Sequence, residues 1–399
     1  METLYFDNNA TTRLDPEVRE EMLPFLDGLY GNPSSAYALG RVIRDAIEQA
    51  RERVAALIGA EPETILFTSC GTESDNAAIF SALEHDPDRK HIVTTKVEHS
   101  AIIKHAEKLA RKGFDITWLK VDSSGRLNPD DLRKAVHDET AIVTIMMANN
   151  ETGVLFPVHE LAAIAAEAGA FFHTDAVQAV GKIPIDVTAS PIDFLSLSAH
   201  KLHAPKGVGA LYIRKGVKFH NFLVGGGQES GRRGGTENVA SIVAMGKAAE
   251  LARLALDEEL TRVTALRDGF EAELRARISN LEINGGNVER LPNTSSLTFR
   301  DIDGEALLIL LDQSGVCASA GSACTTGAVT PSHVLTAMGR DVESCKNTLR
   351  FSFSRFTTED EVDHGIEHIV RAVEKIRSLC GSGPVVQHVA HREKSAIPA

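Results

Sequence analysis

Short apolar runs alternate with longer amphipathic stretches over residues 35–213, and this alternation constrains the fold more than any other feature of the chain. The apolar runs predict strands over 64–68, 91–95, 116–121, 141–147, 170–174, 194–198 and 208–213. The stretches between them predict helices over 35–58, 73–83, 101–111, 129–136 and 158–168. The pattern therefore predicts an α/β fold, in which helices cover both faces of a mainly parallel, seven-stranded-type sheet.

The rest of the chain predicts a second, smaller α+β domain. A long helical stretch over 239–277 leads into strand-like runs at 295–299 and 348–353 and helical stretches at 304–313 and 359–380. We expect a large domain over 14–258 and a small domain formed by 1–13 and 259–380. Residues 381–399 are rich in Gly, Pro and polar residues without periodicity, so we expect a poorly ordered tail.

The net charge and the cysteine content indicate which kinds of binding partner and which cellular compartment to expect. The 399 residues carry a net charge of −13, which argues against nucleic acid and anionic membrane surfaces as partners. We expect no membrane span and no signal or transit peptide, because the opening residues are acidic and no apolar run approaches roughly 18 residues. Five cysteines without a Cys-x-x-Cys pair argue against a disulfide framework or zinc site, and favour a reducing, cytoplasmic setting.

Lys201 follows the apolar run 194–198, at the predicted end of a buried strand. An unpaired ammonium away from water costs several kcal/mol, so a lysine there often has a lowered pKa. Its neutral amine can then form a Schiff base with a carbonyl compound. The alternative is a lysine that extends to solvent beside the loop.

Other polar residues follow neighbouring strands in the same way. Gly71 and Thr72 open a helix whose N–H groups can face an anion, although Thr72 with Asp75 also resembles a plain capping box. Asp175 and His99 follow two further predicted strands. Ligands of such sheets bind beyond the carboxyl ends of the strands, where these side chains would meet.

This combination of groups indicates a flat, phosphorylated cofactor that carries a carbonyl group. A helix N-terminus would hold the phosphate, Asp175 would pair with a ring nitrogen, and Lys201 would bond the aldehyde. Asn150, after another strand, either donates to a ring oxygen or shapes a turn. The sequence thus predicts a pyridoxal phosphate site.

A second reactive group is predicted at Cys324, in the small-residue stretch Ser-Ala-Gly-Ser-Ala-Cys-Thr-Thr-Gly. Such a loop leaves a thiol exposed and available for reaction, whereas the alternative is a tight packing loop between domains. Cys317 lies in an apolar run and is interpreted as structural, as are Cys345 and Cys380. Cys70 lies in the predicted phosphate loop, near the cofactor region, and is given no catalytic role. A metal site shared by Cys317 and Cys324 lacks further ligands at suitable spacing, so no resident metal is expected.

Arg350 lies in the strand-like run Thr-Leu-Arg-Phe-Ser and is the candidate clamp for a substrate carboxylate. A guanidinium binds carboxylates through two parallel hydrogen bonds and keeps its charge. The alternative is an ordinary surface arginine on a strand.

Over residues 3–380 the chain resembles the cysteine desulfurases, enzymes of the aminotransferase-like fold type I. The resemblance is carried by short motifs that begin at Tyr5 (Tyr-Phe-Asp-Asn-Asn-Ala-Thr-Thr), Gly31 (Gly-Asn-Pro-Ser-Ser), Thr68 (Thr-Ser-Cys-Gly-Thr-Glu-Ser), His173 (His-Thr-Asp-Ala-Val-Gln-Ala-Val-Gly), Ala199 (Ala-His-Lys), Arg232 (Arg-Arg-Gly-Gly-Thr-Glu-Asn) and Gly321 (Gly-Ser-Ala-Cys). The last motif is similar to the long-loop group of nitrogen-fixation (NifS-type) and housekeeping (IscS-type) enzymes. The stretches at Asn149 and His200 resemble the NifS type more closely.

The resemblance implies roles for individual residues. Lys201 would carry pyridoxal 5'-phosphate, Asp175 would hold its pyridinium, and His99 would stack on the ring and help to move protons. The other implied cofactor contacts are Gln178 and Asn150 near the phenolic oxygen, and Gly71, Thr72, Ser198 and His200 at the phosphate. Thr236 would reach the phosphate of the other subunit, which implies a homodimer with shared active sites. Ala320 departs from the family, which often has a second serine there.

The implied activity is conversion of L-cysteine to L-alanine, with the sulfur left as a persulfide on Cys324. An iron–sulfur scaffold or another sulfur-acceptor protein would receive it, with transient contact to a cluster, and nitrogenase clusters are the expected destination. The alternatives are a selenocysteine lyase or transaminase of the same fold. A further alternative is a non-enzymatic sulfur carrier or cluster scaffold that uses Cys324 and Cys317.

Overall fold

The computed structural model describes residues 3–320 and 331–379. The strands in this part of the chain are β1 (Leu4–Tyr5), β2 (Ile65–Thr68), β3 (His91–Thr95), β4 (Asp115–Leu119), β5 (Thr140–Thr144), β6 (Phe171–Asp175), β7 (Phe194–Ser198), β8 (Gly209–Ile213), β9 (Leu281–Ile283), β10 (Thr294–Phe299), β11 (Val316–Cys317), β12 (Ser319–Ala320) and β13 (Thr348–Ser352). The helices are α1 (Pro16–Met22), α2 (Ala38–Leu57), α3 (Gly71–His85), α4 (Ser100–Ala110), α5 (Pro129–Ala135), α6 (Val158–Glu167), α7 (Val239–Leu254), α8 (Leu256–Glu258), α9 (Thr264–Arg277), α10 (Gly304–Gln313), α11 (His333–Ala337), α12 (Val342–Lys346) and α13 (Glu359–Leu379).

The central sheet has seven strands in the order β2-β8-β7-β6-β5-β3-β4. The strands β4, β3, β5, β6 and β7 are parallel, and β8 runs antiparallel to both of its neighbours. The predicted α/β fold with a mainly parallel sheet is therefore confirmed. The carboxyl ends of β6 and β7 lie side by side, because Asp175 is the register partner of Ser196.

Helices cover both faces of this sheet, which explains the nearly continuous apolar runs in the sequence. Successive residues of one strand enter different cores: Phe194 packs with α3 and α4, whereas Leu195 packs with α2, α6 and α7. The helices α2 and α7 approach closely at Gly246, where an added Cβ would lie 2.5 Å from the Cα of Ala50.

A smaller antiparallel sheet has the order β12-β13-β10-β9. Helices α9, α10 and α13 pack on it around a core that includes Phe270, Leu307 and Ile369. The division into a large domain, 14–258, and a small domain, 1–13 and 259–380, stays a prediction. The Cys324 loop and the tail 381–399 lie outside the described residues. In residues 3–320 and 331–379, no helix combines the length and hydrophobicity needed to cross a membrane.

The predicted helical stretch over 239–277 is helical except at Ala255, where the structure divides it. Helix α7 ends at Leu254, and a π-helical turn over Glu259–Val263 precedes α9. The physical reason is a change of packing partner. Helix α7 is buried against the core of the large sheet, whereas α9 places Phe270 in the core of the small sheet.

The N-terminal segment 7–12 joins the two sheets and passes beside Lys201. At one end, the N–H groups of Asn8 and Asn9 donate to the backbone oxygen and hydroxyl of Ser352, at 3.2 and 2.9 Å. At the other end, the N–H of Thr12 donates to the carbonyl of His200 at 3.0 Å. This segment therefore forms one wall of the crevice at the carboxyl ends of the strands.

Candidate active site

Lys201 lies in a short 3-10 turn, Ala199–Lys201, directly after β7. Its Nζ donates to the backbone carbonyl oxygens of Asn9 and Ala10, the latter at 2.7 Å. Burial, and then the positive charges of Lys182 and Arg350, lower the pKa of Lys201 to about 7. Near neutral pH a large fraction of this side chain is therefore the neutral, nucleophilic amine.

Asp175, at the end of β6, shares the crevice with Asp75 and His99. The side-chain ligand atoms of these three residues all lie within 4.8 Å of one another. Burial raises the pKa of both carboxyl groups, and the charge of Asp175 raises that of Asp75 further. His99, Lys201 and the N–H of Val177, which donates to Asp175 at 2.9 Å, all favour the ionised form of Asp175. We therefore assign the negative charge to Asp175 and a proton to Asp75.

The alternative capping box of Thr72 and Asp75 is wrong. Helix α3 begins after Cys70, whose side chain makes no capping hydrogen bond, and Thr72 lies inside the first turn. Asp75 instead points into the protein and lies 3.6 Å from Nε2 of His173. Burial lowers the pKa of His173 to about 3, so that this histidine is neutral and supplies no positive charge to the carboxyl group of Asp75.

Gly71 places the N-terminus of α3 against the ends of β6 and β7. A Cβ added there would lie 2.8 Å from Cγ2 of Val177 and 3.6 Å from Cβ of Ser198, so a larger residue would not fit without movement. No described residue accepts a hydrogen bond from the N–H groups of Gly71 or Thr72. These N–H groups are therefore available to an anion, as the sequence predicts.

Gln178 and Asn150 meet around Asn9. The side-chain Nε2 of Gln178 donates to the carbonyl of Asn9 at 3.0 Å, and Nδ2 of Asn9 donates to the carbonyl of Asn150 at 3.2 Å. The Oε1 of Gln178 is buried without a hydrogen-bond partner among the described residues. Such an oxygen is expected to accept from a group other than the described residues, such as a bound ligand.

Arg350 is brought to the same crevice by β13 and is buried. Its Nη2 donates to Asp7 at 2.7 Å and its Nη1 donates to the carbonyl of Asn150 at 2.9 Å. Within residues 3–320 and 331–379, its Nε has no partner. The alternative of an ordinary surface arginine is therefore wrong.

The remaining predicted residues are placed less centrally or are not described. His200 contacts the hydroxyl of Thr11 through Nδ1 at 3.2 Å, and burial lowers its pKa to about 4. Thr236 is exposed, on the segment before α7, and the described contacts do not bring it to the site. Cys317 lies in β11, where burial raises the pKa of its thiol. Cys324 lies outside the described residues.

Sequence reasoning gave no role to Asp7 or Lys182, and it interpreted Asp75 only as a cap. Lys182 is buried, donates to the carbonyl of Gln178 at 3.0 Å and lines the same cavity as Lys201. The sequence signal for Asp7 and Lys182 was a charged residue next to an apolar run, as in Leu-Tyr-Phe-Asp and Ala-Val-Gly-Lys. Charged residues are rarely fully buried unless they are paired or functional.

The residues present fit pyridoxal phosphate. An amine with a lowered pKa, a buried carboxylate, a helix N-terminus with open N–H groups and an unpartnered amide oxygen surround one crevice. These are the groups that an aldehyde, a pyridinium, a phosphate and a phenol require.

The family model of the class-V aminotransferases matches residues 4–364. The chain belongs to this family. It is 50% identical over 379 residues to a cysteine desulfurase of Nostoc sp. (strain PCC 7120), covering 95% of each chain. It is 49% identical over 390 residues to the cysteine desulfurase NifS of Azotobacter vinelandii, covering 96% of this chain and 97% of that protein.

A solved structure of a NifS-like protein superposes with a TM-score of 0.87 at 39% identity, covering 93% of this chain and 99% of that one. The resemblance to the cysteine desulfurases is therefore confirmed. The relatives in this family are pyridoxal phosphate enzymes.

Proposed function

We propose that this chain is a pyridoxal phosphate-dependent cysteine desulfurase, which converts L-cysteine to L-alanine and supplies sulfur for iron–sulfur cluster assembly. The observation that carries the proposal is the buried amine of Lys201, whose pKa is lowered to about 7 beside the carboxylate of Asp175. The relatives are named cysteine desulfurases, which supports cysteine as the substrate and removal of its sulfur as the reaction.

The cofactor, when bound, would supply an electron sink for negative charge that develops at the substrate's α-carbon. Lys201 would hold its aldehyde carbon, Asp175 its ring nitrogen and Gln178 its phenolic oxygen, with His99 over the ring. Asn150 would lie near the same oxygen, and the phosphate would lie against Gly71, Thr72, Ser198 and His200.

The chain's own residues would then move protons and sulfur. Arg350 would orient the substrate carboxylate, and the neutral amine of Lys201 would remove the α-proton and later return it. The thiolate of Cys324 would attack the substrate's sulfur and form an S–S bond. As the carbon–sulfur bond breaks, its electron pair stays on the β-carbon, which takes up a proton to complete alanine.

An apolar surface near Thr236 supports the proposed homodimer with shared sites. Phe222, Leu223 and Val224 precede Thr236 on the same segment and are exposed, Val224 by 88%. Contiguous exposed apolar residues commonly mark protein–protein contacts. In the dimer, Thr236 would reach the phosphate in the partner's site.

The sulfur acceptor would be a protein of the nitrogenase pathway. It would meet the enzyme in the reducing cytoplasm.

The direct test is the reaction of the cofactor-loaded protein with L-cysteine in the absence of an oxo acid. We expect about one alanine for each sulfur released, measured by chromatography and by sulfide assay. Alanine that forms only when an oxo acid is added would indicate a transaminase, and strong preference for selenocysteine would indicate a selenocysteine lyase. A colourless protein with no aldehyde trapped at Lys201 would favour the carrier or scaffold.

The two buried carboxyl groups are expected to respond differently to removal of charge. Asp175→Asn should lower cysteine turnover by about 10²–10³-fold, because a neutral amide cannot stabilise a positive charge in the site. Asp75→Asn should lower it by less than about fivefold, because asparagine resembles the protonated acid assigned to Asp75. Steady-state alanine formation measures both, and equal losses would contradict the assignment.

A further inference from the structure

Arg350 already has a carboxylate partner within the chain. Oδ1 of Asp7 accepts from Nη2 of Arg350 at 2.7 Å, and Oδ2 of Asp7 accepts from the hydroxyl of Ser319 at 3.2 Å. The side chain of Arg350 is only 9% exposed and that of Asp7 only 17%. A buried guanidinium without a counter-ion would be strongly unfavourable, so Asp7 stabilises the site when no ligand is bound.

The same contact limits what Arg350 can offer to a ligand. Nη1 is taken by the carbonyl of Asn150 and Nη2 by Asp7, while Nε is buried without a described partner. A guanidinium binds a carboxylate best through two parallel N–H groups, and Nε forms such a pair with Nη2. A ligand carboxylate that uses this pair of N–H groups must share Nη2 with Asp7 or displace it, and it arrives next to a negative charge.

We propose that Asp7 is a resident counter-ion of Arg350 that sets the affinity of the site for carboxylate-bearing substrates and products. This inference rests on the proposed function, because it takes the ligand to be an amino acid held by Arg350. Asp7 keeps the empty site stable and at the same time weakens the binding of alanine, which favours product release. It determines specificity through Arg350 and takes no part in bond making or breaking.

Asp7→Asn removes the charge and keeps an oxygen that can accept from Nη2. We expect the variant to bind L-alanine about tenfold more tightly than the parent protein, because the repulsion between two carboxylates is lost. Binding of ethylamine, which is alanine without its carboxylate, should change by less than about twofold. Isothermal titration calorimetry of the cofactor-loaded full-length protein measures both ligands.

Stability should change in the opposite direction. Asp7→Asn leaves Arg350 with a weaker partner, so we expect the melting temperature of the ligand-free protein to fall by about 2–4 °C. Asp7→Ser, which has a shorter neutral acceptor, gives a second variant with the same expected directions. Ser319→Ala is the matched control: it removes one hydrogen bond to Asp7 and keeps both charges, and alanine affinity should stay within about twofold.

A purely structural role for Asp7 would lower alanine affinity and stability together, and that result would overturn the proposal. An equal gain for alanine and ethylamine, or unchanged alanine affinity, would also overturn it. Failure of the proposed function would look different, because the unsubstituted protein would then form no alanine from L-cysteine, whatever the Asp7 variants bind.

Discussion

Lys201→Ala is expected to lower the conversion of L-cysteine to L-alanine by at least about 10³-fold. The substitution removes both the attachment point of the cofactor and the base that moves the α-proton, and a positioned base alone commonly contributes 10²–10⁴-fold. Borohydride reduction followed by peptide mass spectrometry should trap pyridoxal phosphate on Lys201 of the unsubstituted protein and nowhere in the variant.

Lys182 provides the matched control, since it is a second lysine that lines this cavity. Its Nζ is occupied by the carbonyl of Gln178, and burial lowers its pKa to about 8. Lys182→Met should still trap the cofactor at Lys201. Trapping at Lys182 in the unsubstituted protein, or an active Lys201→Ala variant, would contradict the assignment.

The Lys201→Ala substitution should also alter how the stability of the protein depends on pH. In the folded protein the pKa of Lys201 is about 7, below its ordinary value of 10.5, so between these values the unfolded chain binds more protons. Through this group, stability rises as the pH increases from about 7 to 10.5. Thermal melts of cofactor-free Lys201→Ala should therefore show a smaller rise over this range than those of the parent protein.

Cys324→Ala is expected to reduce sulfide release from L-cysteine to below about 1% while leaving the protein yellow and the cofactor bound at Lys201. The thiolate is the proposed acceptor of the substrate's sulfur, and alanine offers no nucleophile in its place. Mass spectrometry of the parent protein after exposure to L-cysteine should find one additional sulfur atom on Cys324.

Cys317→Ala is the control for a general effect of removing a thiol. Cys317 lies in β11, paired with β1, and burial raises the pKa of its thiol, which disfavours the reactive thiolate. We expect this variant to keep its sulfide release within about twofold. Full activity of Cys324→Ala, or loss of activity only in Cys317→Ala, would contradict the proposed persulfide role of Cys324.

Much of the fold and part of the candidate site could be predicted from local sequence patterns. Strands β3 and β7 match their predicted ranges because most of their residues are apolar or β-branched and both faces are buried. Lys201 and Asp175 could be recognised because a charged residue that directly follows a buried strand must lie at the carboxyl edge of the sheet. The division between α7 and α9 could not be predicted in this way, because both helices have helical periodicity and differ only in the core on which they pack.

The sequence by itself determined the order of strands and helices and the chemical groups at the strand ends, because both depend on residues that are neighbours along the chain. Tertiary structure alone decided that Asp75 is buried as an acid rather than used as a cap. It alone also joined Asp7 to Arg350, 343 positions away. Burial and charge pairing depend on the distance between atoms in space, and no periodicity of a single segment records that distance.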